Sequence, residues 1–162
     1  MRAFSHAPVP QAELLAVLKK AENTQRAPGA LFTRGDTELR VAVAARRVEG
    51  LTAGLYIREG QNLVQLDTAD AGGELAEDYA DAPVLAMICA ANPQMHENAY
   101  RELTVHVGAL GYALWLAAIS RGLSCSVLGR PRSGAAQAVR PLGLHARNLF
   151  TVALGQAAGG IR

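Results

Sequence analysis

Hydrophobic residues recur with helical spacing near the start of the chain. Over residues 8–25, Leu14, Leu15, Val17 and Leu18 lie on one side of a predicted helix, whose first turn Pro10 suits. Beyond a loop punctuated by prolines and glycines, the spacing changes to the alternation that is typical of strands. The chain therefore begins with an amphipathic helix and continues into a sheet.

The later segments predict a mixture of strands and helices. They are a strand over 38–48, a hairpin over 55–66 that turns around Gly60, a short helix over 72–81, an apolar strand over 82–91, a long helix over 96–122, a strand over 124–129, a short helix over 133–144 interrupted by Pro141, and a last strand over 148–156. The apolar run over 82–91 is typical of a strand covered on both faces. This order predicts an α+β fold, with one mixed or antiparallel sheet flanked by helices.

The long helix is apolar on every side. It contains Gly108 and Gly111, and Gly122 stands where a helix C-terminus favours glycine. Its strongly apolar run, 105–119, has about fifteen residues, whereas a membrane span needs about twenty. We therefore expect the helix to be buried in protein, with its extra apolar surface at a subunit interface.

Composition narrows the function classes. The chain has 162 residues, half of them hydrophobic and 19% charged, which favours one folded domain over 1–162 rather than disorder. The net charge is +2, and the basic clusters, Arg46 with Arg47 and Arg130 with Arg132, are short. We interpret them as solvated surface arginines, so no nucleic-acid partner is expected.

The cysteines and the first residues indicate a compartment. Cys89 and Cys125 each fall in an apolar predicted strand, as expected of reduced core thiols. The opening MRAFSHAPVP has no apolar core of the kind found in a signal peptide. We therefore expect a cytoplasmic protein with no membrane partner.

No familiar catalytic constellation stands out in the sequence. The acidic residues of segment 72–81 are interpreted as solvated, and the four histidines are too scattered for a metal site. Cys125 is interpreted as a packed core thiol rather than a nucleophile. The small-residue segment GLSCSVLGR, 122–130, allows two interpretations: a backbone surface for a flat polar-edged ligand, or a plain connection from helix to strand.

Several segments in one order resemble the nitroreductase family. They are RAF with the following PVP, PGALF, VEGLTAGLY followed by NLVQLD, APVLAMICAA, AYREL followed by GALGYALWLAAISRGLSCSVLG, and LFTVALGQ. The likeness runs from Arg2 to about Gln156 and is strongest to the SagB-type dehydrogenase branch. Shared order and spacing, rather than one motif, carry it.

The resemblance implies a nitroreductase-like α+β sandwich that forms an intertwined homodimer, with FMN at the subunit interface. The long helix would then be the central helix, packed on its own sheet and on the partner's equivalent helix. Gly108 and Gly111 would allow the close approach of the two helices. The alternative is that both glycines fit the core of a monomer.

The resemblance also implies cofactor-binding residues. Arg2 matches a basic residue near the FMN phosphate, a pairing that guanidinium chemistry favours, and Arg162 in the tail is a second candidate for that phosphate. A loop beside the flavin and a segment at the isoalloxazine edge supply the others: Pro28, Gly29, Ala30 and Leu31, and Ser124, Cys125, Val127, Leu128 and Gly129. Backbone N–H groups there would stabilise charge on the reduced ring.

The chain departs from the family pattern at several points. Met1 stands where the RRS segment that usually precedes R-x-F should end. Pro28 is followed directly by Gly29, without the usual serine between them. Gln94 and Met95 stand where azoline-oxidising members carry a Lys-Tyr pair, and neither can transfer a proton as that pair would. Azoline dehydrogenation of a peptide is therefore not predicted.

Two functions remain open. The first is an FMN-dependent oxidoreductase that transfers hydride between NAD(P)H and a small or peptide-derived acceptor. The second is a degenerate member that has lost FMN and serves as a scaffold or as the partner subunit of an active flavoprotein. Segments 72–81 and 92–98 are the expected substrate-pocket liners.

Overall fold

The computed structural model describes residues 4–26, 33–34, 37–67, 81–90, 97–128, 133–143 and 146–159. Their elements, in chain order, are α1 (Gln11–Arg26), β1 (Thr33–Arg34), β2 (Thr37–Ala45), β3 (Gly54–Glu59), β4 (Asn62–Asp67), β5 (Val84–Ala90), α2 (Glu97–Ile119), β6 (Ser124–Leu128), α3 (Ser133–Ala138), a 3-10 turn (Arg140–Leu142) and β7 (Arg147–Gly155). The helix predicted over 72–81 lies outside the described residues. The other predicted elements are confirmed, with shifted ends.

One sheet organises these elements. The strand order is β4-β3-β2-β5-β7-β6, with the short β1 joined to β2. Each of these pairs is antiparallel. The α+β prediction is confirmed, and of its two options for the sheet the antiparallel one holds in the described part of the chain.

The β3–β4 hairpin forms where the sequence predicts it. Glu59 pairs with Asn62 on either side of the turn. Gly60 in that turn has φ +62°, a left-handed conformation that glycine adopts without steric cost. The hairpin makes β4 one edge of the sheet.

β5 is covered on both faces, as the continuous apolar run predicts. All seven of its residues are buried. Val84, Ala86 and Ile88 belong to the larger core cluster, which α1 and α2 complete. Leu85 and Met87 alternate with them and belong to a second cluster on the other face. The main core therefore lies between the sheet and the two long helices.

The apolar side of α1 faces that core. Leu14, Val17 and Leu18 are buried, while Leu15 is only half-buried. On the same helix, Glu22 forms an ion pair with Arg58 of β3, and the two side chains are only 15% and 10% exposed. A partly buried pair of this kind leaves an uncompensated charge if one partner is removed, so it holds α1 on the sheet in one position.

The long helix α2 has two unlike sides. It packs on α1 and on β5, β6 and β7, and Leu103, Leu110 and Leu114 on this side are at most 1% exposed. On the other side Val105 is 70% and Tyr112 is 58% exposed. The predicted burial therefore holds for one face of α2 within a single chain.

The length argument against a membrane span needs correction. Residues Tyr100–Ile119 form a stretch of 20 residues with mean hydropathy 1.4, which by length and composition alone could cross a membrane. The count of fifteen was too short because it left out the first turns of the helix. In the described structure α2 packs on the sheet, and 44% of this stretch is buried inside the chain.

Candidate functional site

A helix-ending motif aims the chain from α2 into β6. Gly122 has φ +74°, and its N–H donates to the carbonyl of Ile119 at 3.0 Å. The N–H of Leu123 donates to the carbonyl of Ala118 at 3.1 Å. These two bonds make a Schellman motif, in which only a left-handed residue closes the helix at low cost. The predicted role of Gly122 is confirmed, and the motif fixes where β6 begins.

β6 is the second edge of the sheet, opposite β4. It contains four of the predicted flavin-edge residues, Ser124, Cys125, Val127 and Leu128. In the described part of the chain β6 pairs with β7 alone. The backbone N–H and C=O groups on its outer edge are therefore available to bind a ligand.

The side chains of β6 point to different surroundings. Cys125 is 4% exposed, belongs to the main core, and its Sγ lies 3.9 Å from the carbonyl oxygen of Trp115 on α2. Val127, two residues on, is 50% exposed, and Leu128 packs partly against the second core cluster. The prediction of a packed Cys125 thiol is confirmed, so any role of Cys125 at a ligand must use its backbone.

Cys89 is the other core thiol. It lies on β5 and is 1% exposed, and burial raises the pKa of its thiol to about 12. Both cysteines are free. A thiol with so high a pKa is almost wholly protonated at neutral pH, which leaves Cys89 without nucleophilic character.

A buried polar pair lies beside the end of β6. Asn148 and Thr151 of β7 are 3% and 1% exposed, and the Asn148 amide Nδ2 lies 2.9 Å from the Thr151 hydroxyl. Thr151 is the register partner of Leu128. The Asn148 Oδ1 atom has no hydrogen-bond partner in the described part of the chain. Sequence reasoning missed this pair, although two polar residues in the apolar run RNLFTVALG were a visible signal.

The first described residue ties the two ends of the chain together. Phe4 forms an antiparallel bridge with Ala157, and the Ser5 N–H donates to the Gln156 carbonyl at 2.9 Å. Phe4 is buried, and a Cβ built on Gly155 would lie 2.8 Å from its ring. Phe4 is thus anchored on the end of β7, which only glycine at 155 permits.

An ionic cluster holds the segment that follows Phe4. Arg47 donates from Nη1 to the Asp81 carboxylate at 2.6 Å and from Nη2 to the Asp81 carbonyl at 2.5 Å. Arg46 lies 3.3 Å and the His6 Nδ1 3.2 Å from the same carboxylate. The hydrogen bond from Arg47 is the main reason that the pKa of Asp81 lies below its usual value.

One sequence interpretation is wrong at this cluster and another is incomplete. Arg46 and Arg47 were expected to be solvated surface arginines, but their side chains are only 11% and 25% exposed. Asp81 was grouped with solvated acids, and its side chain is 45% exposed, but it also joins both arginines in a left-handed conformation with φ +59°. Residues thirty-five positions apart meet here through the sheet, which local spacing does not reveal.

The remaining predicted site residues lie outside the described part of the chain: Arg2, Pro28, Gly29, Ala30, Leu31, Gly129 and Arg162. So do both predicted substrate-pocket segments, except for Asp81 and the backbone of residues 97 and 98. The structure therefore brings together the four predicted residues on β6.

Gly111 has a different role from the one expected. A Cβ at Gly111 would lie 2.6 Å from Cε1 of Phe150 on β7, so this glycine permits close packing of α2 on its own sheet. For Gly111 the monomer-core alternative is right. A Cβ at Gly108 would meet nothing within 4 Å, so that glycine lies on the open side of α2.

The chain was compared with known families and proteins. A model described as the nitroreductase family matches residues 1–156. No curated protein matches the chain.

Solved structures share the fold at low sequence identity. A candidate nitroreductase from Anabaena variabilis has a TM-score of 0.73 at 24% identity; the alignment covers 97% of this chain and 36% of that one. A chain of the Escherichia coli microcin synthetase McbBCD complex with truncated pro-MccB17 bound has a TM-score of 0.74 at 17% identity; the alignment covers 98% of this chain and 68% of that one. A nitroreductase with bound FMN from Bacteroides fragilis has a TM-score of 0.58 at 16% identity, with 99% of this chain and 84% of that one covered. The chain thus spans about a third of the length of the Anabaena protein.

Proposed function

The chain belongs to the nitroreductase family, and from that premise we propose that it is an FMN-dependent oxidoreductase. In this proposal it transfers hydride between NAD(P)H and a small or peptide-derived acceptor, and two copies of the chain form the flavin site. The observation that carries the proposal is the uncovered side of α2 beside the edge strand β6. A flat cofactor and a second subunit would cover both.

The outer side of α2 supports a homodimer. The residues on it are Tyr100, Val105, Tyr112, Leu116 and Ile119, which are 45–70% exposed. Apolar stripes of this extent on a soluble domain mark protein interfaces. Gly108 lies open on the same helix, and its missing side chain lets a partner helix approach closely. We therefore assign this face to the partner's α2.

The backbone of β6 fits the edge of a flavin. Its outer side is unpaired in the described part of the chain, and the exposed Val127 offers an apolar contact to a ring. We propose that the backbone N–H groups at the end of β6 that point away from β7, continuing to Gly129, donate hydrogen bonds to the isoalloxazine edge. Bound FMN would supply two-electron redox chemistry there, and these donors would stabilise negative charge on the reduced ring.

The joined chain ends fit the cofactor's phosphate. The Phe4–Ala157 bridge is antiparallel, and the segment to Arg2 precedes it while the segment to Arg162 follows it. In the sequence Arg2 is two residues before Phe4, and Arg162 is five residues after Ala157. We propose that Arg2, with Arg162 as its helper, neutralises the phosphate. Asp81 holds His6, and with it the segment that positions Arg2.

A partner-subunit role remains the second candidate. It is favoured by the absence of the loop serine between Pro28 and Gly29 and by Gln94 and Met95 in place of a Lys-Tyr pair. The microcin synthetase shows the same fold within a multi-subunit complex. In this alternative the exposed side of α2 binds a flavin-bearing relative instead of a second copy.

Purification with excess FMN separates the two candidates. We expect a yellow dimer with a flavin absorption spectrum that NAD(P)H bleaches under anaerobic conditions. The matched controls are the same chain with riboflavin, which lacks the phosphate, and an Arg2→Ala variant, both of which should bind more weakly. A colourless protein that ignores FMN in titration, yet co-purifies with a flavoprotein, would establish the second candidate instead.

A further inference from the structure

A basic groove lies between the C-terminal half of α1 and the end of α2. It has a volume of about 780 Å³ and opens to solvent. The lining residues are Ala16, Lys19, Lys20, Asn23, Thr24, Ser120 and Arg121. Three of these seven are cationic and none is acidic, so the groove selects for negative charge.

The lysines of this groove are unusual for the chain. Lys19 and Lys20 are its only lysines; every other basic residue that is counted in its charge is an arginine. An ammonium group is a compact point charge with three donors, suited to single carboxylate oxygens rather than to planar bidentate pairing. Both ammonium side chains of the chain therefore line this one groove.

Hydrogen bonds hold the groove in shape. Lys20 donates a hydrogen bond from Nζ to the Ser120 hydroxyl at 2.8 Å. The Ser120 hydroxyl in turn donates to the Ala117 carbonyl at 2.8 Å. Arg121 is fixed from below by Glu13, whose Oε2 lies 3.2 Å from its Nε. The two helices therefore present an ordered set of donors across a junction of elements a hundred residues apart.

Ion pairs within the described residues do not neutralise all of the positive charge in this groove. Glu13 offsets Arg121, and in the described part of the chain Lys19 makes no ion pair or hydrogen bond. The cations are also not needed to cap α2, because backbone N–H groups of residues 120–123 already donate to the carbonyls of residues 116, 118 and 119. Two positive charges remain for a ligand.

We propose that this groove binds an extended acidic peptide segment. Residues 16–23 of α1 extend over about 10 Å at 1.5 Å per residue, which matches about three residues of an extended chain. An open groove cannot enclose a small molecule, so its selectivity comes from several charge pairs along its length. The exposed Asn23 and Thr24 at one end can bind the peptide backbone.

Fluorescence anisotropy with the purified chain tests the proposal. The probe is a hexapeptide of alternating Glu and Ser that carries a red-emitting rhodamine label, and its reference is the same peptide with Gln for Glu. We expect the Glu peptide to bind about tenfold more tightly than the Gln peptide, and added salt to remove the difference. Equal binding of the two peptides overturns the proposal.

Variants locate the binding. Lys19→Glu with Lys20→Glu should abolish the preference for the Glu peptide, whereas Lys19→Arg with Lys20→Arg should retain it. Arg140→Glu with Arg147→Glu is the matched control, because both are exposed arginines outside the groove and the double variant changes the net charge by the same amount. An equal loss in that control would show attraction to net charge alone and would contradict binding in the groove.

Lysine acetylation reports on the native chain without any mutation. Because the chain has two lysines and trypsin does not cleave after acetyl-lysine, mass spectrometry of the tryptic peptide 3–26 reads the groove alone. The Glu peptide should protect both side chains, and the Gln peptide should not. If inorganic pyrophosphate or free FMN protects the lysines at a lower concentration than the Glu peptide does, the ligand of the groove is a phosphate and the proposal is overturned.

Discussion

Both sides of α2 carry large apolar residues, and yet only one side is buried within the chain. Leu110 and Leu114 are buried against the chain's own sheet, whereas Val105 and Tyr112 face outwards. The two glycines show the same division, because Gly111 makes room for Phe150 and Gly108 borders open space. Hydrophobicity therefore marks a surface that must be covered, and only packing tells which molecule covers it.

The largest effect is expected at Gly111. Gly111→Leu should prevent folding or lower the melting temperature severely, since even a Cβ would lie 2.6 Å from the Phe150 ring. Gly111→Ala should cost about 1–3 kcal/mol of unfolding free energy. Denaturant titration with circular dichroism measures both.

A double variant checks the stated cause. In a Phe150→Ala background, Gly111→Ala should lose its cost and approach the gain of up to about 1 kcal/mol that alanine brings to a helix interior. An unchanged cost in that background would show that Phe150 is not the obstacle.

The next effect is expected on the outer side of α2. Gly108→Leu should leave the fold intact, since the position is open within one chain, but should dissociate the proposed dimer. Analytical ultracentrifugation gives the association state and circular dichroism the fold. A Gly108→Leu protein that stays a tight dimer would move the interface elsewhere.

The edge strands offer a matched pair for the flavin. Val127 on β6 is 50% exposed and Val64 on β4 is 39% exposed. Val127→Asp should weaken FMN binding about tenfold or more, because it replaces an apolar contact to the ring with a carboxylate that would have to lose its water. Val64→Asp, at the opposite edge, should leave FMN titration unchanged. Equal losses in the two variants would remove β6 from the site.

The smallest effect is expected at Asp81, remote from α2. The hydrogen bond from Arg47 lowers the folded-state pKa, so Asp81 stabilises the fold above the unfolded value of 3.8 and the gain disappears as pH falls below it. Asp81→Asn, which tolerates the left-handed backbone, should be slightly less stable at pH 7, and its melting curve should meet the parent's in acid. The carboxylate is 45% exposed, so solvent screens the effect.

Most elements of the fold could be predicted from local patterns. The alternation in β2, the turn at Gly60, the all-apolar β5 and the helix end at Gly122 each follow from a property that neighbouring residues share. The predicted bounds of α2, 96–122, are close to the observed Glu97–Ile119. The length of its apolar stretch was harder, because the first turns mix polar residues with the apolar ones.

The candidate site was predicted less completely. The four β6 residues were found through the family resemblance, and the structure places them on one edge strand. The Asn148–Thr151 pair and the Arg46–Arg47–Asp81 cluster were missed, since each depends on strands that pair across the sheet. The basic groove was missed for the same reason, as Ser120 lies a hundred residues from Lys20.

By itself the sequence determined which segments are helices and strands and which surfaces repel water, because these properties depend on residues a few positions apart. Tertiary structure alone decided which glycine faces the core, which arginines are half-buried and where both lysines meet Arg121. Those outcomes depend on contacts between distant segments, whose partners are set by the packing of the whole sheet and its helices.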